Sequence, residues 1–188
     1  MATDISICSN ALQMLGDKAI AAFTDDSARA PLAGNLYPAL RDALLRSHPW
    51  NCLVTRAALS PEVAAPAFGY TYKFLLPADF VRMVAAGQDG QEHDYRIERG
   101  MILADENPLY IRYISKDVTE ASWDASMVHC MQLTMMAALA YSITASTSLA
   151  ESLKGEAAAA LRSAKALDGQ DNPPETFGDF PLLAARSR

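Results

Sequence analysis

Apolar side chains in the first fifty residues recur at intervals of three and four positions. One stripe consists of Ile5, Cys8, Leu12 and Leu15, and a second consists of Leu32, Leu36, Leu40 and Leu44. This spacing follows the 3.6-residue turn of an α-helix and predicts helices over about residues 4–15 and 28–48. Thr3 or Asp4 can cap the first helix, and Gly16 provides the left-handed position that ends it.

Two prolines mark the second predicted helix. Pro38 lies inside the apolar pattern, where it predicts a kink or a new helix start near Tyr37. Pro49 ends the helix, because the residue before a proline, here His48, is disfavoured in the α conformation. Trp50 follows directly, and we expect Pro49 and Trp50 to form a structural anchor that locks the helix end against the next segment.

From about residue 68 the pattern changes to a period of two. Tyr70, Tyr72 and Phe74 alternate with Thr71 and Lys73. Alternation of this kind is typical of a half-buried β-strand. The stretch "VRMVAA" at residues 81–86 is predicted to be its partner strand.

Two further segments of the middle region also predict strands. "YRIERGMIL" indicates a hairpin with Arg99 and Gly100 at its tip, because glycine tolerates the positive φ of a two-residue turn. "LYIRYIS" alternates again after a turn. The sequence therefore predicts one small antiparallel sheet of four or five strands, inserted between helices over about residues 53–116.

A long apolar segment follows the predicted sheet. Residues 125–150 carry no Lys, Arg, Asp or Glu. Asp124 can cap a helix over about residues 125–144 that should be enclosed on most sides. A bilayer span needs about 20 mostly apolar residues, whereas the longest unbroken apolar run here is Met135–Tyr141. We therefore expect a buried helix of a soluble fold and no membrane partner.

A fourth helix is predicted over about residues 149–168. Ser148 and Glu151 have the spacing of a capping box, and Gly169 should end the helix. The apolar stripe consists of Leu149, Leu153, Ala157, Leu161, Ala164 and Leu167. The predicted fold is thus α+β, predominantly α: a bundle of about four helices with an inserted β-sheet, as one domain over residues 1–169.

Residues 170–188 have a different character. Two adjacent prolines, a third proline at Pro181 and Gly178 forbid a continuous helix, yet several side chains are too apolar for a solvated tail. We expect an extended C-terminal arm that contacts a partner surface through Phe177, Phe180, Pro181, Leu182 and Leu183.

Charge and cysteine content narrow the class of protein. The formal net charge of −6 argues against a basic nucleic-acid-binding face. Tyrosines 70, 72, 110 and 113 are therefore interpreted as packing between sheet and helices rather than as base-stacking platforms. The three cysteines lie far apart and without CxxC spacing, which indicates buried, reduced thiols and predicts no metal or other cofactor.

The histidines are the first candidates for chemistry. His48 is interpreted as a residue of the helix end, where a cation meets a favourable dipole. His93 stands beside Glu92 and Asp94, but adjacent loop residues do not converge as the ligands of a closed metal site do. His129 is interpreted as a core histidine with satisfied hydrogen bonds.

No familiar catalytic motif is present in the sequence. Catalytic carboxylates need no fixed spacing, so acid–base work by residues such as Glu98 or Glu120 stays open. The prediction is nevertheless that the chain has no catalytic residues.

Five segments in order resemble a known family. They are "DISICSNALQMLG", "LYPALRDALLRSHPWN", "FGYTYKFLLPADFVRM", "RYI" and "ASTSLAESL". Together they resemble the head-to-tail adaptors of tailed bacteriophages, of the tail tubular protein A type, over about residues 4–167. The most specific blocks are residues 41–51, 76–80 and 146–153.

This resemblance implies a structural role in the neck of a virion. Such adaptors form a ring, typically of twelve copies, that docks on the portal protein above and on the tail nozzle protein below. Genome DNA passes through the bore without specific binding. The family's C-terminal arm commonly reaches onto the portal. Expected localisation is therefore the virion, after synthesis in the host cytoplasm.

Two other functions stay open at this stage. One is a tail-associated peptidoglycan hydrolase that uses carboxylates such as Glu98 or Glu120. The other is a small cytoplasmic binding module with an internal ligand pocket.

Overall fold

Helices frame a β-rich insertion in the chain, which is described here from a computed structural model at residues 1–88 and 92–171. The helices of the described residues are α1 (Asp4–Met14), α2 (Arg29–Arg46), α3 (Ala125–Thr144) and α4 (Thr147–Gln170). The strands are β1 (Val54–Leu59), β2 (Tyr72–Leu75), β3 (Phe80–Ala86), β4 (Tyr95–Glu98), β5 (Met101–Ala104) and β6 (Leu109–Ser115). Helices make up about 47% of the described residues and strands about 19%. The fold is therefore α+β with helix predominant.

Helix α3 lies at the centre of the helical part. It packs against α1, α2 and α4, and its buried residues are Met127, Cys130, Met131, Leu133, Met135, Met136, Leu139 and Ala140. By length and composition α3 could cross a membrane, but half of its apolar window is buried by the surrounding protein. Such burial is typical of the core helix of a globular fold.

The predicted environment of His129 is wrong. His129 lies on an exposed part of α3, as does Tyr141, which is 59% exposed. The sequence of α3 is apolar nearly all round, so it does not indicate which face the neighbouring helices leave uncovered.

Three local signals in the sequence correctly predict how helices begin or end. Thr3 caps α1 in a capping box with Ser6, and Gly16 adopts φ +85° just after the helix. Asp124 caps α3 by accepting a hydrogen bond from the backbone N–H of Ser126. These predictions are confirmed because each depends on residues within one turn of the helix end.

Helix α2 passes through Pro38 and ends at Arg46, two residues before the predicted end. Its buried side chains coincide with the leucine stripe that predicted the helix only at Leu44. They are Ala30, Ala33, Tyr37, Leu44 and Leu45, whereas Leu32, Leu36 and Leu40 are half-buried against the same core. The buried face is therefore rotated towards the small residues of α2, which allow close approach.

The strands form two three-stranded antiparallel sheets rather than the single sheet predicted. Their orders are β1-β6-β3 and β2-β5-β4. Strand β3 pairs with β6, not with β2 as predicted, and β2 pairs with β5. Alternation indicates that a segment is a strand, but it carries no information about the strand's partner.

The β4–β5 hairpin is confirmed at its predicted tip. Arg99 has φ +50° and Gly100 has φ +80°, as a two-residue hairpin turn with two left-handed positions requires.

Strand β6 joins two hydrophobic cores. Ile114 belongs to the core built by the helices, with Trp50 and Trp123. Leu109 and Ile111 belong to a second core between the two sheets. One strand therefore carries packing from the helical part into the β insertion.

Helix α4 begins earlier and ends later than predicted. Its N-cap is Ser146, whose side chain accepts a hydrogen bond from the Leu149 N–H, so the predicted capping box at Ser148 is wrong. Gly169 lies inside the last turn and does not end the helix. The two leucines at the outer ends of the predicted stripe, Leu149 and Leu167, are 38% and 51% exposed.

The corrected cap gives a test with a matched control. Ser146→Ala should lower the free energy of unfolding by about 1 kcal/mol, because the N–H of Leu149 loses its acceptor. Ser148→Ala, two residues later on the exposed first turn, should change it by less than about 0.5 kcal/mol. Chemical denaturation of both variants measures the difference. Equal effects would contradict the assignment of Ser146 as the cap.

Candidate functional site

Trp50 closes the C-terminal end of α2. Its side chain is fully buried, and its indole Nε1–H donates to the carbonyl oxygen of Leu44 at 3.0 Å. Ser47 donates to the same carbonyl from both its backbone N–H and its hydroxyl. Pro49, half-buried, sets the turn between the helix and Trp50. The ring therefore folds back on the helix that precedes it.

Asp168, in the last turn of α4, links the segment after α2 to α4 through hydrogen bonds. Its carboxylate lies 3.0 Å from Nε2 of His48 and accepts the backbone N–H of Asn51 at 3.0 Å. The side-chain amide of Asn51 donates in turn to the Asp168 carbonyl at 2.6 Å. We call residues 47–53 with Asp168 the entry junction, because the chain enters the β insertion there.

The entry junction changes the interpretation of His48. The helix ends two residues earlier, so His48 interacts with the Asp168 carboxylate and contacts the Trp50 ring edge-on at 4.9 Å. The backbone N–H of Asn51 is the first donor of a 3₁₀ turn at Asn51–Leu53. Asp168 therefore supplies that turn with the side-chain acceptor that a helix N-terminus needs.

A second set of contacts holds the chain where it leaves the β insertion. Arg41 Nε donates to the Glu120 carboxylate at 2.7 Å, and the Tyr37 hydroxyl donates to the same oxygen at 3.1 Å. Arg41 Nη2 also reaches the carbonyls of Lys116 and Val118. We call residues 116–124 with Tyr37 and Arg41 the exit junction.

The charges of the exit junction are shielded from solvent. The side chains of Arg41 and Glu120 are 17% and 14% exposed, and the guanidinium lies 5.6 Å from the centre of the Trp123 ring. Burial, together with the negative charge of Glu120, raises the pKa of Tyr37, which keeps its hydroxyl protonated as a donor. Glu120 is thus held by Arg41 and Tyr37 within a fixed network.

Asp79 fixes the approach of β3 to β6. Its carboxylate accepts hydrogen bonds from the hydroxyls of Tyr113 and Ser115, and its carbonyl accepts the backbone N–H of Lys116. Burial acts to raise the pKa of Asp79, but hydrogen bonds led by that of Ser115 outweigh it and hold the pKa below its usual value. The Phe80 ring stacks on Tyr113 at 5.7 Å.

The other residues that the sequence offers for catalysis or metal binding do not come together in one site. His93 Nδ1 lies 3.3 Å from Glu106, and Asp94 accepts a hydrogen bond from Tyr70. Glu98 is exposed at the end of β4, whereas Glu120 belongs to the exit junction. Within residues 1–88 and 92–171, no three His, Cys, Asp or Glu side chains are grouped to hold a metal ion.

Two of the four tyrosines considered for stacking contrast in their environment. Tyr113 is buried, but in the core between the two sheets rather than between sheet and helices as predicted, and Tyr110 is 39% exposed. Their separation along β6 is odd, so they lie on opposite faces of the strand. The expectation that Tyr110 packs in the interior is wrong.

The predicted partner-binding residues of the C-terminal arm, Phe177, Phe180, Pro181, Leu182 and Leu183, lie outside the described residues. The described chain ends at Asp171, just after α4.

One open groove lies on the face of the β1-β6-β3 sheet. Its volume is about 510 Å³, and Arg56, Ala58, Tyr110 and Arg112 are among its lining residues. Arg56 stands directly opposite Arg112 across the two strands. Two arginine side chains therefore contribute to the lining of this groove.

Comparison with known proteins adds no family assignment. The sequence matches no model of a known protein family, and a search of curated proteins finds no significant match.

The entry junction can be tested through its carboxylate. Asp168→Ala should lower the free energy of unfolding by about 1–3 kcal/mol, because the Asn51 N–H loses its acceptor and His48 its partner. Asp171→Ala, an exposed change one turn later, should cost less than about 0.5 kcal/mol. Urea denaturation of both proteins checks the difference. A neutral Asp168→Ala substitution would remove the junction as a stabilising contact.

The lowered pKa of Asp79 predicts a dependence on pH. Stability from its ionised form is present above the ordinary value of 3.8 and is lost as the pH falls through the lower folded-state value. Asp79→Asn should therefore cost about 1–2 kcal/mol at about pH 7, and less at about pH 3. Denaturation at both pH values measures this. The exposed Asp42→Asn substitution serves as control, and an Asp79→Asn cost that grew on acidification would contradict the prediction.

Proposed function

We propose that this chain is a structural subunit of a tailed-bacteriophage particle, a head-to-tail adaptor. Copies of the chain form a ring, with twelve as the expected number, between the portal protein and the tail nozzle protein. Genome DNA passes through the bore. The protein is made in the host cytoplasm and resides in the neck of the virion.

The main support for this proposal is the position in the structure of the three blocks in which the resemblance is most specific. Block 41–51 supplies Arg41, Trp50 and Asn51 to the two junctions. Block 76–80 contains Asp79, which fixes β3 against β6, and block 146–153 begins with the cap of α4. All three blocks therefore coincide with side chains that set how elements meet, which is what a shared architecture requires.

The environment of Glu120 favours a structural role over acid–base catalysis. Its carboxylate is mostly buried and is bound by Arg41 and Tyr37. A general acid or base must reach a proton of its substrate. The Glu120 carboxylate instead holds residues 116–124 against α2 through Arg41 and Tyr37.

Charge also fits a channel subunit. Each contact between a basic side chain and a DNA phosphate increases the affinity for DNA in a salt-dependent way. An acidic chain of net charge −6 makes fewer such contacts, so DNA can slide past it.

The proposed function is tested by measuring whether the chain binds the portal protein encoded in the same genome, with and without the C-terminal arm. Because the proposal assigns residues 172–188 to the portal, deleting them should abolish binding to the portal ring, and the melting temperature of the deleted chain is measured alongside. Phe177→Ser combined with Phe180→Ser should weaken binding similarly, because apolar anchors are removed. Thr176→Ser is the matched control and should bind normally.

Electron microscopy and mass measurement of the portal mixture give the readout. A full-length chain that leaves the portal ring bare under these conditions would overturn the proposed function. Normal binding by the deleted chain would overturn only the role of the arm.

A further inference from the structure

Strand β4 forms an exposed edge of the β2-β5-β4 sheet. Within residues 1–88 and 92–171 it pairs only with β5, and its last three residues, Arg96, Ile97 and Glu98, are exposed. An edge strand presents N–H and C=O groups to which another strand can bond, and proteins commonly protect such edges with a proline or a β-bulge. Strand β4 contains no proline, and its pairing with β5 is regular. A further strand can therefore be added at this edge.

The hairpin turn determines which backbone groups of β4 point away from β5. Arg99 and Gly100 have φ +50° and +80°, so the turn is of type I′. A turn of this type bonds the carbonyl of the residue before it, Glu98, to the N–H of the residue after it. Bonding groups then alternate in direction along the strand. The N–H and C=O of Ile97 therefore point to the open edge.

Ile97 is the exposed end of a buried row of side chains. It lies opposite Ile102 of β5, which lies opposite Phe74 of β2, and directly opposite residues share one face of a sheet. Phe74 and Ile102 are completely buried in the core between the two sheets, whereas Ile97 is 42% exposed. The inner face of the sheet therefore ends at β4 with an uncovered apolar side chain.

The sequence of β4 is complementary to itself in one antiparallel register. When two copies of β4 pair with Ile97 opposite Ile97, Arg96 of each copy lies opposite Glu98 of the other. The two isoleucines then form a hydrogen-bonded pair, and the charged residues occupy non-bonded positions, where side chains approach more closely. Opposite charges in such positions stabilise a sheet. In the described part of the chain, neither charged side chain already forms a salt bridge.

We propose that two copies of the free protein pair through β4, in an antiparallel arrangement centred on Ile97. The two three-stranded sheets then join into one. The Ile97 side chains meet on its inner face, and an Arg96–Glu98 ion pair forms twice on its outer face. The contact has twofold symmetry, because the same strand serves both partners. Neighbours in a closed ring are not related in this way, so the inference goes beyond the adaptor function and concerns the chain before assembly.

Sedimentation velocity measures the dimer across a dilution series of the full-length chain. Strand β4 has only four residues, so the contact is small and we expect a dimer that dissociates on dilution. Arg96→Glu or Glu98→Arg places like charges opposite each other twice in every dimer, and each should lower the association constant about fivefold. Arg162→Glu, at an exposed position of α4, changes the net charge as much as Arg96→Glu and should have little effect.

Exchanging the two charges gives a readout that misfolding cannot imitate. A chain that carries both Arg96→Glu and Glu98→Arg again has opposite charges in the same register, and it should recover most of the original association constant. The two single variants should also bind each other more tightly than either binds itself, because their mixed pairs are opposite in charge. This pattern requires residue 96 of one copy to face residue 98 of the other.

Cross-linking locates the centre of the contact. Ile97→Cys places two thiols opposite each other, with Cα atoms about 5.5 Å apart in a hydrogen-bonded pair, within reach of a short bis-maleimide. We expect a homodimer linked through position 97, identified by mass spectrometry. Leu75→Cys is the matched control, because Leu75 is 59% exposed on the other edge strand, β2. The unmodified chain measures the background from the native cysteines.

The outcomes separate this inference from the proposed function. A chain that stays monomeric at every concentration, or a yield at position 97 no higher than that at position 75, overturns pairing through β4. An association constant that Arg96→Glu leaves unchanged does so too, as does the absence of recovery when both charges are exchanged. A monomeric chain that still decorates the portal ring overturns the pairing alone. A dimer linked through β4 in a chain that never binds portal supports the pairing and overturns the adaptor function.

Discussion

The structure depends on how the chain crosses twice between its helical part and its β insertion. At the entry junction the Asp168 carboxylate, 9% exposed, binds the Asn51 N–H and His48. At the exit junction the mostly buried pair Arg41 and Glu120 is completed by Tyr37. Buried polar groups are costly without partners. Each junction therefore favours the one arrangement in which all of these partners are present.

Packing alone would specify this arrangement less sharply. Replacing a buried ion pair by apolar groups is often neutral for stability, but removing one partner is costly. Arg41 also binds two carbonyls of the returning chain, at Lys116 and Val118, which a hydrophobic side chain would leave unbonded. Trp50 adds a large apolar surface to the helical core and one directional hydrogen bond to the Leu44 carbonyl. Apolar burial supplies the free energy here, and the polar contacts select the geometry.

Sequence patterns predicted what is local and missed what is distant. The four helices, the caps at Thr3 and Asp124, and the Arg99–Gly100 turn follow from neighbouring residues. The pairing of β3 with β6 and the role of Asp168 do not, because the partner of Asp168 lies 117 positions away along the chain. The spacing of Ser148 and Glu151 predicts a cap at Ser148, but Ser146 offers the same hydroxyl two residues earlier and is the cap in the structure. For the candidate site, the unusual placement of Trp50 was visible in the sequence, but its polar partners were not.

The same two junctions matter most if copies of the chain close into a ring. A ring closes only when every copy presents its two contact surfaces at one fixed angle, and a small error repeats at each subunit. Strand β6 carries both cores, so a shift at the exit junction moves the sheet face that holds Arg112 relative to the helices. Strand β1 of the same sheet begins directly after the entry junction, so both junctions hold this sheet against the helices. Junction residues without a catalytic role can therefore be essential for assembly. They set the orientation of the surfaces by which each copy contacts the next.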